Sequence, residues 1–204
     1  PAGNPASDDS DSDFTIDSIA PTVAITSPAA GSYVNSASVS AFTVSGTCSE
    51  NGRSVTIGGT LSGSAICSGG TWTANLDFSS AAEGSVSVTA DLSDAAGNEA
   101  TQDTRSFVKD TVAPTLASIT VLNVSPTSST TYLIDTAAPS EPIGAYCILE
   151  NDTTVGDCTW TTSASLPDSF SVSSTQNAKV LTAWVKDLAG NVESTGTDSN
   201  SVTY

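Results

Sequence analysis

A chain of 204 residues with 5 Lys and Arg against 22 Asp and Glu carries a formal net charge of −17. That balance lacks the basic patches that nucleic acid and anionic membrane surfaces require, so neither partner is expected. No apolar run approaches the ~18 residues of a membrane span, and without a histidine no Ser-His or Cys-His nucleophile can be assembled.

Residues 1–16 are low in complexity: Pro, Gly, Asn and Ala, then Asp8, Asp9, Asp11 and Asp13 interleaved with Ser. Such a segment buries too little to offset its ordering entropy and reads as a flexible tether, of the kind that suits a lipid-anchored or processed export product. Asp9, Asp11 and Asp13 imitate the start of an EF-hand loop, but Phe14 stands where that loop needs Gly. Strand signals then dominate. Val, Ile and Thr runs predict strands at 22–25, 42–48, 54–57, 64–67, 71–76, 85–93 and 104–109, separated by Gly, Asn, Ser and Pro clusters. A second set is predicted at 116–122, 131–135, 143–150, 158–161, 169–173, 178–186 and 199–204. Short strands at this spacing favour an all-β fold of tandem sandwiches, about seven strands each. Alternation turns Val86, Val88, Ala90 and Leu92 inward. The same phase turns Leu181, Ala183 and Val185 inward, and Trp184 and Lys186 outward.

The chain repeats itself once. Asp17-Ser18-Ile19-Ala20-Pro21-Thr22 returns as Asp110-Thr111-Val112-Ala113-Pro114-Thr115, and Asp94-Ala95-Ala96-Gly97-Asn98 returns as Asp187-Leu188-Ala189-Gly190-Asn191. Both motifs recur 93 residues on, so one module is used twice, over 17–109 and 110–204. Cysteines divide between the modules: Cys48 and Cys67 in the first, Cys147 and Cys158 in the second. Even, local pairing reads as disulfides formed in an oxidising compartment, ahead of free thiols. Zinc is a poor alternative without Cys-x-x-Cys or histidine. The two cysteine spacings differ, so the middle of the second module is remodelled. Trp72 and Trp160 follow a cysteine closely and read as core aromatics beside a disulfide, with sugar stacking as the alternative.

These residues carry a family resemblance. The Asp-x-x-Ala-Pro-Thr opening, Gly-Thr-Cys-Ser-Glu-Asn-Gly at 46–52, Gly-Gly-Thr-Trp at 69–72 and Asp-Ala-Ala-Gly-Asn before the last strand resemble the bacterial Ig-like repeats of large surface adhesins and fibre proteins. The resemblance covers 17–110 well and 110–204 mainly at its ends. It implies two tandem immunoglobulin-like β-sandwich domains, an extracellular or cell-surface location, and neighbouring Ig-like modules of the same chain as partners. Some relatives in this family hold calcium between successive modules with acidic linker residues and the Asp-x-x-Gly-Asn turn.

Six alternating strands return the chain to the pole where it started, so the turn before the last strand should lie beside the module's own N-terminus. That places Asp94 and Asn98 near Asp17, and Asp187 and Asn191 near Asp110. Calcium takes six to eight oxygens, which these residues could begin to supply, with Asp103 or backbone carbonyls completing the set. The other reading is plain turn chemistry, in which Asp accepts local N–H bonds and Gly adopts positive φ. Function follows in two versions. One is a non-catalytic, semi-rigid stalk or spacer of an adhesin or fibre. The alternative is a binding module for a host or prey cell-surface glycan or protein, using Trp184, Tyr146 and Trp160 of the diverged second module as a stacking platform.

Overall fold

The computed structural model describes residues 16–122 and 130–203. Of the expected tether over 1–16, residues 1–15, which carry the EF-hand imitation, lie outside the described residues, as does Tyr204. Among the described residues eight strands precede residue 110: β1 (Val23–Ser27), β2 (Tyr33–Val34), β3 (Phe42–Cys48), β4 (Ser54–Gly59), β5 (Gly63–Ile66), β6 (Thr71–Leu76), β7 (Gly84–Leu92) and β8 (Asp103–Lys109). They form a three-stranded sheet in the order β1-β3-β6 and a five-stranded sheet in the order β2-β8-β7-β4-β5. Nine follow among the described residues: β9 (Ile119–Val121), β10 (Thr131–Thr136), β11 (Ile143–Glu150), β12 (Thr161–Thr162), β13 (Ser169–Ser171), β14 (Ala178–Lys179), β15 (Leu181–Asp187), β16 (Thr197–Asp198) and β17 (Val202–Thr203). Their sheets are β13-β10-β9, β12-β11-β15-β16 and the pair β14-β17. The fold is an all-β, Ig-like sandwich architecture.

By compactness the chain divides into two units, one of residues up to Ala29 with Thr43–Leu76 and Ser87–Arg105, the other of Ala30–Phe42, Asp77–Val86 and Ser106–Tyr204. In the first unit the two-residue period decides burial. Val44, Val55, Val88 and Ala90 are completely buried and their strand neighbours are not. Trp72 lies across Gly46, where a Cβ would fall 2.6 Å from the indole nitrogen. Its indole N–H donates to Ala24 O at 3.2 Å. The bridge Cys48–Cys67 ties β3 to the end of the β5 segment. In the second unit Phe42, Phe78 and Phe107 meet edge to face at 5.2–6.3 Å. A separate cluster gathers Tyr132, Ile134, Ile148, Leu181, Ala183 and Val185. The expected bridge Cys147–Cys158 forms there.

The predicted bounds of β3, β6 and β11 coincide with the observed ones. β2 was not predicted, because two residues show no periodicity; it pairs in parallel with β8 through Tyr33 and Val108. The single strand expected over 178–186 is two. Asn151, at φ 52, donates its N–H to Val180 O and accepts from Val180 N through Oδ1, both at 2.8 Å. That side chain replaces a ladder partner at Val180 and separates β14 from β15. Of the strand expected at 158–161, residues 158–160 are irregular, following a 3-10 turn at Val155–Asp157, and only Thr161–Thr162 pairs with β11.

Candidate functional site

The Asp-x-x-Gly-Asn turns are built alike. Gly97 has φ 93 and Gly190 has φ 91, a conformation that a side chain would strain. In the first turn Asp94 Oδ1 accepts from Asn98 N at 2.8 Å, and Asp94 Oδ2 from Asn98 Nδ2 at 2.7 Å. Asn98 Nδ2 also donates to Asp17 O at 3.1 Å, and Asp94 N donates to Asn98 O. The second turn repeats every bond. Asn191 N and Nδ2 each donate to Asp187 at 2.8 Å, Nδ2 reaches Asp110 O at 2.8 Å, and Asp187 N donates to Asn191 O. Asp17 and Asp110, which open the two sequence repeats, are therefore each pinned to the late turn of the same repeat by one asparagine amide. The Asn98 side-chain amide, with the backbone N–H groups of the turn, holds the Asp94 carboxyl below its ordinary range despite burial.

The second turn carries two additions. Asn35 Nδ2 donates to Ala189 O and Ser36 N donates to Asn191 Oδ1, each at 2.9 Å. All four residues belong to the second compact unit. Asn35 is held ready by its own turn, in which its Oδ1 accepts from Ala37 N and Ser38 N. The second addition is a group of acids: carboxylate oxygens of Asp110, Glu141 and Asp187 lie within 4.8 Å of one another. Burial and then the charge of Asp187 push the Asp110 carboxyl up, with a further push from Glu83. Burial and then Asp110 and Asp187 do the same for Glu141.

Three crowded carboxylates of this kind suit a hard divalent cation, which takes oxygen ligands and relieves like-charge repulsion. Asp110, Asp187 and Glu141 would hold it, with backbone carbonyls or water making up the number. Glu141 was missed by sequence reasoning because it sits in no motif. Asp103, expected to help, instead accepts from Ile25 N at 2.6 Å and from Thr104 N, in the first unit. Asn191 already spends its oxygen on Ser36 N. Around Asp17, Asp94 and Asn98 no such group of three acids occurs among the described residues.

The expected stacking platform is corrected. Trp184 is only 1 % exposed, not outward. β15 is buried on both faces over Leu181–Val185. The outer face is covered because the 194–198 segment crosses it at Gly196, where a Cβ would lie 2.5 Å from the Trp184 ring. Trp184 also faces Cys147 across the β11–β15 pair, beside the disulfide. It forms part of the wall of a groove of about 270 Å³ with Thr153, Val155 and Gly196. Tyr146 packs against the inner cluster. Trp160, half-buried, is capped by Lys186, whose Nζ lies 4.1 Å from the ring centroid. The three aromatics do not form one exposed face.

Residues 21–90 match the family model described as a bacterial Ig domain. That bacterial Ig domain match runs from just before β1 into β7, over the part of the chain whose strands alternate most regularly. Among curated proteins none matches the chain. Solved structures share the fold. Domains A168–A170 of titin give a TM-score of 0.61 at 10% identity, covering 91% of this chain and 66% of that one. A 1.5-MDa bacterial ice-binding adhesin gives 0.52 at 20% identity, covering 91% of this chain and 64% of the other. The fibronectin(III)-like modules of Clostridium thermocellum CbhA give 0.50 at 12% identity, covering 89% and 93%. At such identities the likeness is one of fold. No helix among the described residues is long and apolar enough to cross a membrane.

Proposed function

We propose that the chain is a pair of non-catalytic spacer modules, over 17–109 and 110–204, from a bacterial cell-surface or secreted protein of the adhesin or fibre type. The observation that carries this reading is the duplicated turn lock, whose second copy is engaged by Asn35 and Ser36. A module entrance fixed by a buried asparagine and contacted by a second loop resists bending more than a flexible linker does. Asp110, Glu141 and Asp187 bind a calcium ion that neutralises their mutual repulsion and stiffens the same place. The neighbouring modules are the partners, and the acidic surface keeps the chain soluble outside the cell.

Thermal unfolding in excess EDTA, in millimolar calcium and in millimolar magnesium tests the ion. Binding to the native state alone raises the midpoint in proportion to RT ln(1 + [L]/Kd), so a calcium-specific rise of several degrees is expected. Small-angle scattering of the same samples tests the spacer. An extended profile that sharpens with calcium supports it; a compact, freely hinged pair in both conditions would overturn it.

A further inference from the structure

We propose that a trough on the outer face of β4 and β7 binds a short zwitterionic peptide, its carboxylate on Arg53 and its ammonium between Asp91 and Glu99. Of the chain's five Lys and Arg residues only Arg53 is exposed. Lys109 and Lys179 are buried, half-buried Arg105 donates to Pro28 O, and half-buried Lys186 covers Trp160. Among the described residues no carboxylate lies within ion-pair distance of the Arg53 guanidinium. Its orientation is fixed all the same. Arg53 stands just before β4, opposite the end of β7, and Nε donates to Ser93 O at 3.0 Å and Nη2 to Asp94 O at 2.7 Å. Those bonds use one side of the planar group. Nη1 and the second hydrogen of Nη2 form a free fork, the geometry that takes a carboxylate by two parallel bonds.

The acidic end is held in the same way. Asp91 pairs with Thr56 across the β4–β7 ladder. Both of its carboxylate oxygens accept from Gln102 Nε2 at 2.9 Å, which orients the group and leaves each oxygen a lone pair. Glu99 is exposed, and its carboxylate has no partner among the described residues. The trough is made of two adjoining cavities of about 360 and 260 Å³ that share Thr56, Asp91, Leu92 and Ser93. Arg53 and Ser54 line one, Glu99 and Ala100 the other, and all of these residues belong to the first compact unit. One cation and two carboxylates, none spent on another, suit a ligand of both signs. An anion alone is repelled by the acids around Arg53, and a cation alone by Arg53 itself. No aromatic side chain lines the trough, so it offers no face for a sugar ring. Ser54 and Thr56, exposed on β4, offer hydroxyls to the peptide unit between the charged ends.

The test is an amide NMR titration of the full chain, in low salt at neutral pH, with diglycine and triglycine. N-acetyl-diglycine supplies the anion alone and diglycinamide the cation alone. At least one zwitterion is expected to give saturable shifts at Arg53, Thr56, Asp91 and the Gln102 side-chain amide, and each singly charged analogue to bind at least about tenfold more weakly. Arg53→Lys keeps the charge but loses the fork, and Asp91→Asn keeps the shape but loses the charge. Each is expected to weaken binding by about tenfold or more. The Trp72 indole N–H, bonded to Ala24 O, reports that the first unit remains folded, and Asp91→Asn decides alone if Arg53→Lys unfolds. No saturation with either peptide by about 20 mM overturns the proposal. Equal binding of diglycinamide overturns it as attraction to the acidic chain at large, and equal binding of N-acetyl-diglycine as an anion site only. Binding that Asp91→Asn leaves unchanged overturns it as well.

Discussion

Asn98→Ala and Asn191→Ala make one perturbation at two equivalent positions, and the structure assigns them different costs. Asn98 is half-exposed and gives up two amide bonds, to Asp94 Oδ2 and Asp17 O. Asp94 is itself buried and loses one donor, but Asp17 O is open to water and no third bond is lost, so the expected loss is about 2 kcal/mol. Asn191 is 3 % exposed and gives up three: to Asp187 Oδ2, to Asp110 O, and from Ser36 N. Removing it leaves one oxygen of the buried Asp187 and the half-buried Asp110 O without their amide donor, and breaks the part-buried bond from Ser36 N. Unsatisfied buried groups cost more than the bonds themselves contribute, so about 3–4 kcal/mol is expected. The assay is urea unfolding of the full chain, compared at unchanged slope so that the shift in midpoint reports stability. Trp160 and Trp184 report the second repeat and Trp72 the first, so each loss can be assigned to its own transition. Equal losses at the two positions, or a larger one at Asn98, would refute the reasoning that burial and the Ser36 contact distinguish the turns.

Trp184→Ala should destabilise the second repeat by about 3–5 kcal/mol, as for other buried tryptophans, while Trp160→Ala should cost no more than about 1–2 kcal/mol; chemical denaturation of both variants separates the core residue from the partly exposed one. Glu141→Gln should abolish the calcium-specific rise in melting temperature and raise stability in EDTA at neutral pH, because it removes one of three like charges. The raised Asp110 and Glu141 carboxyls bind protons more tightly folded than unfolded. Their contribution to stability is therefore fully present below their ordinary values of 3.8 and 4.5, and is lost as pH rises through the folded ones. Melting in EDTA across this range should show that trend relative to Glu141→Gln. Lys179→Met should cost about 2–3 kcal/mol by equilibrium unfolding. The buried ammonium is shared by Glu150 Oε1, Ser173 Oγ and Thr175 Oγ1 at 2.6–2.7 Å, and Glu150 keeps some solvent.

The strands of the first repeat were legible because each has one face inward and one outward, so Val44, Val55 and Val88 alternate with polar neighbours. The 93-residue period located both turn locks, since Asp, Gly and Asn at those spacings are required by local backbone geometry. Glu141 was not legible. Its place beside Asp110 and Asp187 depends on where the chain runs after β10, and no local pattern encodes that. Trp184 was misread because strand alternation tells the two faces of β15 apart but does not tell whether a second layer covers the outer one. The segment at Gly196 supplies that layer, and a glycine in a loop does not announce the ring it admits.

Sequence alone thus determined the all-β class, the duplication, the disulfide pairs and the turn chemistry, all of which follow from short-range periodicity and from residue types with few conformational options. Tertiary structure decided which acids converge, which tryptophan is buried and which of two identical turns receives a loop. Those outcomes depend on segments far apart in the chain meeting in space, and the free energy of such meetings is not written in any single stretch of residues.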